Sequence, residues 1–213
     1  VIDLQKRVLG ETHPAVAETL HALAFLMYEK GDANTAIAFA RQSLDIKREV
    51  LGNDHPDVAS SLNAIAMWTM ESGDYASAEP VLRESLEIRI GALGREHPAV
   101  AGSMTLLANC LVGNGEYEEA LSLAREAQAA YTAALSADHW RTAVAVGAEG
   151  AALAGQRNFA AAEPLLLQSH SVLTQDPNAM SVFVTEARRR LESLYSEWGR
   201  PSDAAKFRRR ADD

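Results

Sequence analysis

The chain has 213 residues, of which 47% are hydrophobic, so it is long enough to bury a sizeable core and to form one or two domains. Its formal net charge of −9 argues against general binding to nucleic acids or to anionic membranes. No apolar run is long enough to span a bilayer. The single cysteine, Cys110, cannot form a disulfide within the chain, which fits a reducing compartment.

One short string recurs at a constant interval of 42 residues. LGNDHPDVA begins at Leu51, close copies begin at Leu9 and Leu93, and a more divergent copy begins at Leu135. A fixed period of this length is typical of repeat architectures. The same interval relates an unbroken column of alanines: Ala36, Ala78, Ala120, Ala162 and Ala204. The sequence therefore predicts an array of five repeated segments in a single domain covering residues 1–213.

The repeats follow one another along the chain without linkers. Residues 1–8 align with residues 43–50, so they are predicted to be the tail of a preceding repeat in a longer parent protein. Residues 178–213 are predicted to form a terminal capping repeat. The four repeats between them are predicted at residues 9–50, 51–92, 93–134 and 135–177.

Each repeat is predicted to contain two helices. In the second repeat, apolar residues at helical spacing define one face of the first helix: Val58, Leu62, Ile65, Ala66 and Thr69. Pro56 suits the first helical position, Gly73 a left-handed residue after the helix, and Asp74 the N-cap of the second helix. The recurring string is therefore predicted to end one helix, make the turn and start the next.

The spacing of Gly73, Tyr75 and Ala78, with the small residue Ala66 before them, resembles the tetratricopeptide repeat. The period of 42 and the Leu-Gly-x-x-His-Pro-x-Val-Ala string are similar to the long variety found in kinesin light chains and in bacterial proteins. In some of those bacterial proteins the repeat array is attached to a serine/threonine protein kinase. The resemblance implies an all-α fold, a right-handed superhelical solenoid of stacked helix-turn-helix repeats.

A histidine recurs in the turn between repeats: His13, His55, His97 and His139. Zinc ligands lie about 2.0–2.1 Å from the metal, whereas stacked helices lie about 8–10 Å apart, so one ion would not bridge neighbouring histidines. We expect these side chains to pack in the turns and the protein to bind no metal. The chain also contains no motif of a known catalytic site, so we expect neither enzymatic activity nor a cofactor.

Two further features leave alternatives open. The arginine runs 188–190 and 208–210 fit a polar cap of the array, or contact with an acidic partner or nucleic acid. The fourth repeat is the least regular, because Glu149 replaces an apolar residue of the repeat pattern and Gly147 and Gly150 weaken the helix. This irregularity indicates local repacking, a hinge or a surface open to a partner.

In the tetratricopeptide family the first helix of each repeat lines a concave groove. The resemblance places eight candidate peptide-binding residues there: His21, Phe25, Tyr28, Asn63, Met67, Met70, Thr105 and Asn109. Aromatic and Met side chains mixed with Asn and Thr form an adaptable binding surface, although Phe25, Met67 and Tyr28 also fit a role in the core. A neighbouring column is expected to be buried between repeats: Leu26, Trp68, Cys110, Ala152 and Leu194.

These features predict a non-catalytic protein–protein interaction module in a larger cytoplasmic bacterial protein. The partner is expected to be a protein or peptide segment with neutral or basic flanks, because Glu18, Glu29 and Glu71 are predicted at the groove rim. No nucleic acid or membrane partner is expected, and the chain is expected to be a monomer or a weak homo-oligomer. Two alternatives remain, a structural module that self-associates and a regulatory segment of a bacterial serine/threonine kinase.

Overall fold

A computed structural model describes residues 2–208, in which eleven α-helices and one 3-10 helix account for the regular secondary structure. The contacts divide the chain into two compact units, residues 1–95 (unit 1) and residues 96–213 (unit 2). The all-α prediction is confirmed. Within the described range, none of the helices is both long and apolar enough to cross a membrane.

Unit 1 contains a short first helix and two helix pairs. The helices are α1 (Ile2–Leu9), α2 (Pro14–Glu29), α3 (Ala33–Leu51), α4 (Pro56–Glu71) and α5 (Tyr75–Leu93). The pairs α2/α3 and α4/α5 each pack closely along their length, and α3 also packs against α4. This is the order of elements that the period of 42 residues predicts.

The core of unit 1 is formed by the predicted apolar faces. All five residues assigned to one face of the first helix in the second repeat are buried: Val58, Leu62, Ile65, Ala66 and Thr69. Buried hydroxyl groups join the helices of each pair, since Ser43 Oγ donates to the Ala17 carbonyl at 2.8 Å and Ser85 Oγ to the Ala59 carbonyl at 2.9 Å. Each buried serine therefore fixes the register of a second helix against a first helix.

The recurring string forms the turn between repeats, as predicted. The helix α3 ends at Leu51, and Gly52 follows with a φ of +87°, a conformation that favours glycine. The helix α4 then begins at Pro56, whose missing N–H is not needed at the first helical position. Asp74 caps the next helix by accepting the Ser77 N–H at 3.1 Å.

Unit 2 contains two helix pairs, followed by a longer helix, a short helix of one turn and a 3-10 helix. The helices are α6 (Pro98–Asn114), α7 (Tyr117–Ala134), α8 (Trp140–Gly155), α9 (Phe159–Gln175), α10 (Ser181–Glu197) and α11 (Pro201–Ala204), with the 3-10 helix at Ala205–Phe207. The guanidinium of Arg200 lies 4.8 Å from the ring centroids of both Tyr195 and Trp198 and pairs with Glu163 at 2.8 Å. This arrangement ties α10 and the start of α11 to α9.

One expectation about burial is wrong. The repeat pattern predicts that Leu26 is buried in a column between repeats, but this residue is 42% exposed. The next member of the column, Trp68, is buried because it packs against Phe25 and Tyr28 of the preceding first helix. Among the described residues only the short α1 precedes α2, and it leaves Leu26 uncovered.

Candidate functional site

Six of the eight predicted groove residues lie in unit 1. His21, Phe25 and Tyr28 are spaced i, i+4, i+7 on α2, and Asn63, Met67 and Met70 have the same spacing on α4. This spacing puts each set on one side of its helix. We refer to these six residues as the unit 1 face.

An aromatic cluster supports this face. Trp68 is 1% exposed; the Phe25 ring meets it edge-on with centroids 5.3 Å apart, and the Tyr28 ring stacks on it at 5.2 Å. The His21 ring meets Phe25 edge-on at 5.1 Å. Nevertheless, Phe25 remains 46% exposed and Met67 43% exposed. The unit 1 face therefore presents two large apolar side chains beside a buried tryptophan.

The polar groups of the unit 1 face connect its two helices. The Tyr28 hydroxyl donates a hydrogen bond to Glu71 Oε1. Burial, together with this bond and the nearby carboxylate charge, raises the pKa of Tyr28 to about 12. Burial, followed by the charge of Lys47, lowers the pKa of His21, with an opposing effect of Glu18. The lowered pKa favours the neutral form of His21, and its buried Nδ1 has no hydrogen-bond partner among residues 2–208.

The remaining two predicted groove residues, Thr105 and Asn109, lie on α6 in unit 2. Thr105 is buried, and its hydroxyl donates to the Ala101 carbonyl at 2.8 Å. Asn109 Oδ1 accepts a hydrogen bond of 2.9 Å from Arg190 Nη2 on α10. Arg190 Nε also donates to Glu186 at 3.2 Å. Asn109 is thus held by a side chain 81 residues away in sequence.

The glycine at position 147 makes the path of Arg190 possible. A Cβ atom added at Gly147 would lie 2.6 Å from Ser169 Oγ and 3.2 Å from Arg190 Nη1. Any larger residue would therefore displace both side chains. The run of three arginines at residues 188–190 does not by itself distinguish Arg190 from its two neighbours, so this role was not predicted. The signal was present, because Arg190 lies three residues after buried Ala187 and four before buried Leu194, on the apolar side of α10.

The other irregular residues of the fourth repeat also have packing roles. A Cβ atom at Gly150 would lie 2.8 Å from the Leu166 side chain, so the glycine permits close approach of α9. Glu149 is buried and accepts a hydrogen bond of 2.8 Å from Arg125 Nε. Of the alternatives that the sequence left open, local repacking is the one supported by these contacts.

The other described arginines of the two runs lie near acidic residues or a histidine. Arg189 pairs with Glu186 at 3.4 Å and Arg208 with Glu192 at 3.5 Å. Burial lowers the pKa of His170, and the charge of Arg188 lowers it further. Arg209 and Arg210 lie outside the described residues, so the second run is seen only at Arg208.

The recurring histidines cap helices, a role that the sequence analysis missed. In each turn the histidine Nδ1 accepts the backbone N–H two residues later, at 3.1 Å, in His13, His55, His97 and His139. An imidazole nitrogen can accept only when it carries no proton. In three of the four turns the next residue is proline, and this is the signal that could have indicated the role, because Pro at the first helical position makes the preceding residue the N-cap. His139 is followed by Trp140 instead. In residues 2–208, no three His, Cys, Asp or Glu side chains come together in a way that could hold a metal ion.

Comparisons with known proteins agree with this architecture. The family model described as Tetratricopeptide repeat matches residues 1–49, 25–90 and 57–133, which together span more than half of the chain. No curated protein matched the chain in a sequence comparison.

Several solved structures have a similar fold. Nearly identical repeats of a putative kinesin light chain from Podosopora anserina are 22% identical with a TM-score of 0.68, over 92% of both chains. BtubC from P. vanneervenii is 18% identical with a TM-score of 0.70, over 96% of this chain and 81% of that one. A Rap protein complexed with Competence and Sporulation Factor is 17% identical with a TM-score of 0.63, over 91% of this chain and 62% of that one. At these identities the similarity establishes the fold, and the family match establishes that the chain belongs to the tetratricopeptide repeat family.

Proposed function

We propose that the chain is a non-catalytic protein–protein interaction module whose unit 1 face binds a segment of a partner protein. The observation that carries this proposal is the exposure of Phe25 and Met67 on adjacent helices, beside the buried Trp68. Binding energy in protein interfaces is concentrated in a few apolar and aromatic anchors of this kind. An apolar side chain of the partner therefore packs between Phe25 and Met67.

The negative charge around the unit 1 face determines which residues are favoured on either side of the partner's apolar anchor. Glu18, Glu29 and Glu71 are exposed on α2 and α4, and the chain as a whole carries a net charge of −9. Like charges brought together in an interface slow association and weaken binding. The preferred partner segment therefore has neutral or basic residues beside its apolar anchor.

The comparisons support a role in binding proteins. A Rap protein with this fold is complexed with Competence and Sporulation Factor, and the fold is also that of kinesin light chain repeats. In our proposal the present chain likewise works by binding, without a metal or cofactor, within a larger cytoplasmic bacterial protein.

A phage-displayed library of random peptides tests the proposal, because selection from it does not require the partner to be identified. Peptides enriched on the wild-type chain should carry an apolar anchor, and they should not be enriched on the Phe25→Ser/Met67→Ser double variant. For the best peptide, Phe25→Ala or Met67→Ala should weaken binding about thirtyfold, because truncation of a hot-spot anchor costs about 2 kcal/mol. Arg41→Ala is the control, since Arg41 is exposed on α3, a helix that carries none of the residues of the unit 1 face.

The opposite pattern would contradict the proposal. If the enriched peptides bind the double variant as well as they bind the wild type, the unit 1 face is not the binding site. If changes at Arg188 to Arg190 abolish binding while the double variant binds normally, the basic residues of α10 form the site instead.

Exposed apolar residues elsewhere in unit 1 favour a second candidate function, self-association. Leu4 and Val8 on α1 are 66% and 71% exposed, and Leu26 on α2 is also exposed. Light scattering over a range of concentrations separates the two functions, because a module that captures peptides should remain monomeric. A mass that rises with concentration in the wild type, but not in a Leu4→Ser/Val8→Ser variant, would support self-association.

A further inference from the structure

We propose that a cavity at the C-terminal ends of α2 and α4 binds an arginine side chain of the partner, next to the apolar anchor. This inference rests on the proposed function, because it assigns a second contact to the same partner segment. The cavity has a volume of about 430 Å³ and is lined by Tyr28, Glu29, Gly31, Ala33, Glu71 and Ser72. A volume of this size is sufficient for one extended side chain.

The walls of the cavity are held in place by contacts within unit 1. The Tyr28 ring stacks on the buried Trp68, and the Tyr28 hydroxyl donates to Glu71 Oε1. That bond joins the last turn of α2 to the last residue of α4 and orients the Glu71 carboxylate. Because these groups are positioned before binding, a ligand loses less affinity to the ordering of the site.

The charge of the cavity favours a cation. Glu29 and Glu71 are exposed, neither forms an ion pair with another described residue, and the lining contains no basic side chain. The last turns of α2 and α4 also lack basic residues, so nothing in those turns offsets the partial negative charge of the helix ends. Lys30 does not line the cavity but is the basic residue nearest to the lining residues in sequence. The acidic Asp32 lies two residues after it and offsets its charge.

An arginine fits these groups better than a lysine. Its planar guanidinium can donate to two carboxylate oxygens at once and can pack against aromatic rings. The bond from Tyr28 uses Glu71 Oε1 and leaves Oε2 available to a guanidinium. The exposed Phe25 and Met67 on the same two helices hold the adjacent apolar residue. The two contacts together specify an apolar residue followed or preceded by arginine.

Unit 2 contains an equivalent cavity that also has carboxylates in its lining but differs in the residues beside them. It also has a volume of about 430 Å³ and is lined by Gly115, Glu116, Tyr117, Glu118, Glu119 and Gln156. At the positions that correspond to Tyr28 and Glu71, however, it has Val112 and Gly155. A Cβ atom at Gly155 would lie 2.2 Å from the Tyr117 ring, which occupies this space. Of these two cavities, the one in unit 1 has the oriented tyrosine–glutamate pair and the one in unit 2 lacks it.

The test uses the random peptide library on the wild-type chain and on Glu71→Gln. Gln retains an acceptor for the Tyr28 hydroxyl but removes the charge. The circular dichroism spectrum of Glu71→Gln should therefore match that of the wild type. Wild-type selection should enrich arginine beside the apolar anchor, whereas Glu71→Gln selection should retain the anchor and lose the arginine. The best wild-type peptide should bind Glu71→Gln about tenfold more weakly, and Glu118→Gln, in the unit 2 cavity, should bind it normally.

The outcomes distinguish this inference from the proposed function. Anchored peptides without enriched arginine, or an arginine peptide that binds Glu71→Gln and wild type equally, would overturn the arginine site and leave the unit 1 face intact. Enrichment of lysine equal to that of arginine would likewise overturn the assignment to arginine. If no enriched peptide depends on Phe25 and Met67, both proposals fail.

Discussion

The first helices of unit 1 and unit 2 occupy equivalent places in the repeat but carry opposite kinds of side chain. In unit 1 the three columns of the face contain large residues, such as Phe25, Tyr28 and Met67. In unit 2 the same columns contain mostly small residues, with Gly147 in the column of His21. In unit 1 the large residues remain partly exposed, whereas in unit 2 Arg190 reaches Asn109 past Gly147.

This difference shows how one fold can leave different surfaces exposed. Where the first helices carry bulky side chains, large apolar groups such as Phe25 and Met67 remain exposed, and in our proposal a partner binds there. Where they carry small side chains, a long residue of the same chain fills the space and joins distant helices. The repeat pattern fixes the helices in both units, and the residues in three columns decide whether a surface is open or already occupied.

The largest expected effect concerns Trp68 in unit 1 and Cys110 in unit 2, two buried members of one repeat column. Trp68→Ala should destabilise unit 1 by about 3–5 kcal/mol, because it removes the ring on which Phe25 and Tyr28 pack. Cys110→Ala, in the same column of unit 2, should cost only about 1 kcal/mol, since it removes a single buried sulfur atom. Urea denaturation followed by circular dichroism gives both values. Equal losses of stability would show that the two units do not differ in this column.

The next effect concerns the bridge in unit 2. Arg190→Ala should destabilise the protein by about 2 kcal/mol, because it removes a largely buried side chain and leaves Asn109 Oδ1 without its charged donor, while Glu186 keeps its pair with Arg189. Arg189→Ala is the matched control and should change stability by less than about 0.5 kcal/mol, since Arg189 is exposed. Peptide binding to unit 1 should be unchanged in both variants. Similar stability in the two variants would show that the bridge is not a structural element.

A smaller effect is expected at the turns, which are alike in both units. His55→Ala should cost about 1 kcal/mol through loss of the bond to the Asp57 N–H, and His55→Asn should restore most of it because Asn is a good N-cap. His139→Ala in unit 2 should cost a similar amount. Thermal melting measures these changes. If His55→Asn is as unstable as His55→Ala, the histidine acts by packing and not by capping.

The smallest effect concerns two tyrosines whose pKa is raised to about 12, Tyr28 in unit 1 and Tyr195 in unit 2. Burial and a hydrogen bond to a glutamate favour the neutral phenol, so each pKa lies above the unfolded value of about 10. Their contribution to stability is therefore complete below about pH 10 and is lost as the pH rises from about 10 to 12. Ultraviolet titration should show that Tyr28→Phe removes one late-ionising phenol. A curve that loses an early-ionising phenol instead would contradict this assignment.

The sequence predicted the helices well because their determinants are local. The period of 42, the prolines at helix starts and the glycines after helix ends specify where each helix begins and ends. The sequence predicted the candidate face less completely, because exposure and long-range pairing depend on neighbours that a single helix does not reveal. Leu26 is exposed because, among residues 2–208, only the short α1 precedes α2, and the bond between Arg190 and Asn109 spans 81 residues. A pattern within one repeat contains neither fact.

The most direct test of the central claim uses the methyl groups of the five methionines as reporters of binding. In carbon-13 methyl NMR, titration with the best library peptide should shift Met67 and Met70, which lie on the unit 1 face. Met104, buried in unit 2, and Met180, exposed in unit 2, should not shift. We therefore expect the peptide-induced shifts to be restricted to methionines of unit 1. Shifts of Met104 or Met180, with Met67 and Met70 unchanged, would contradict it.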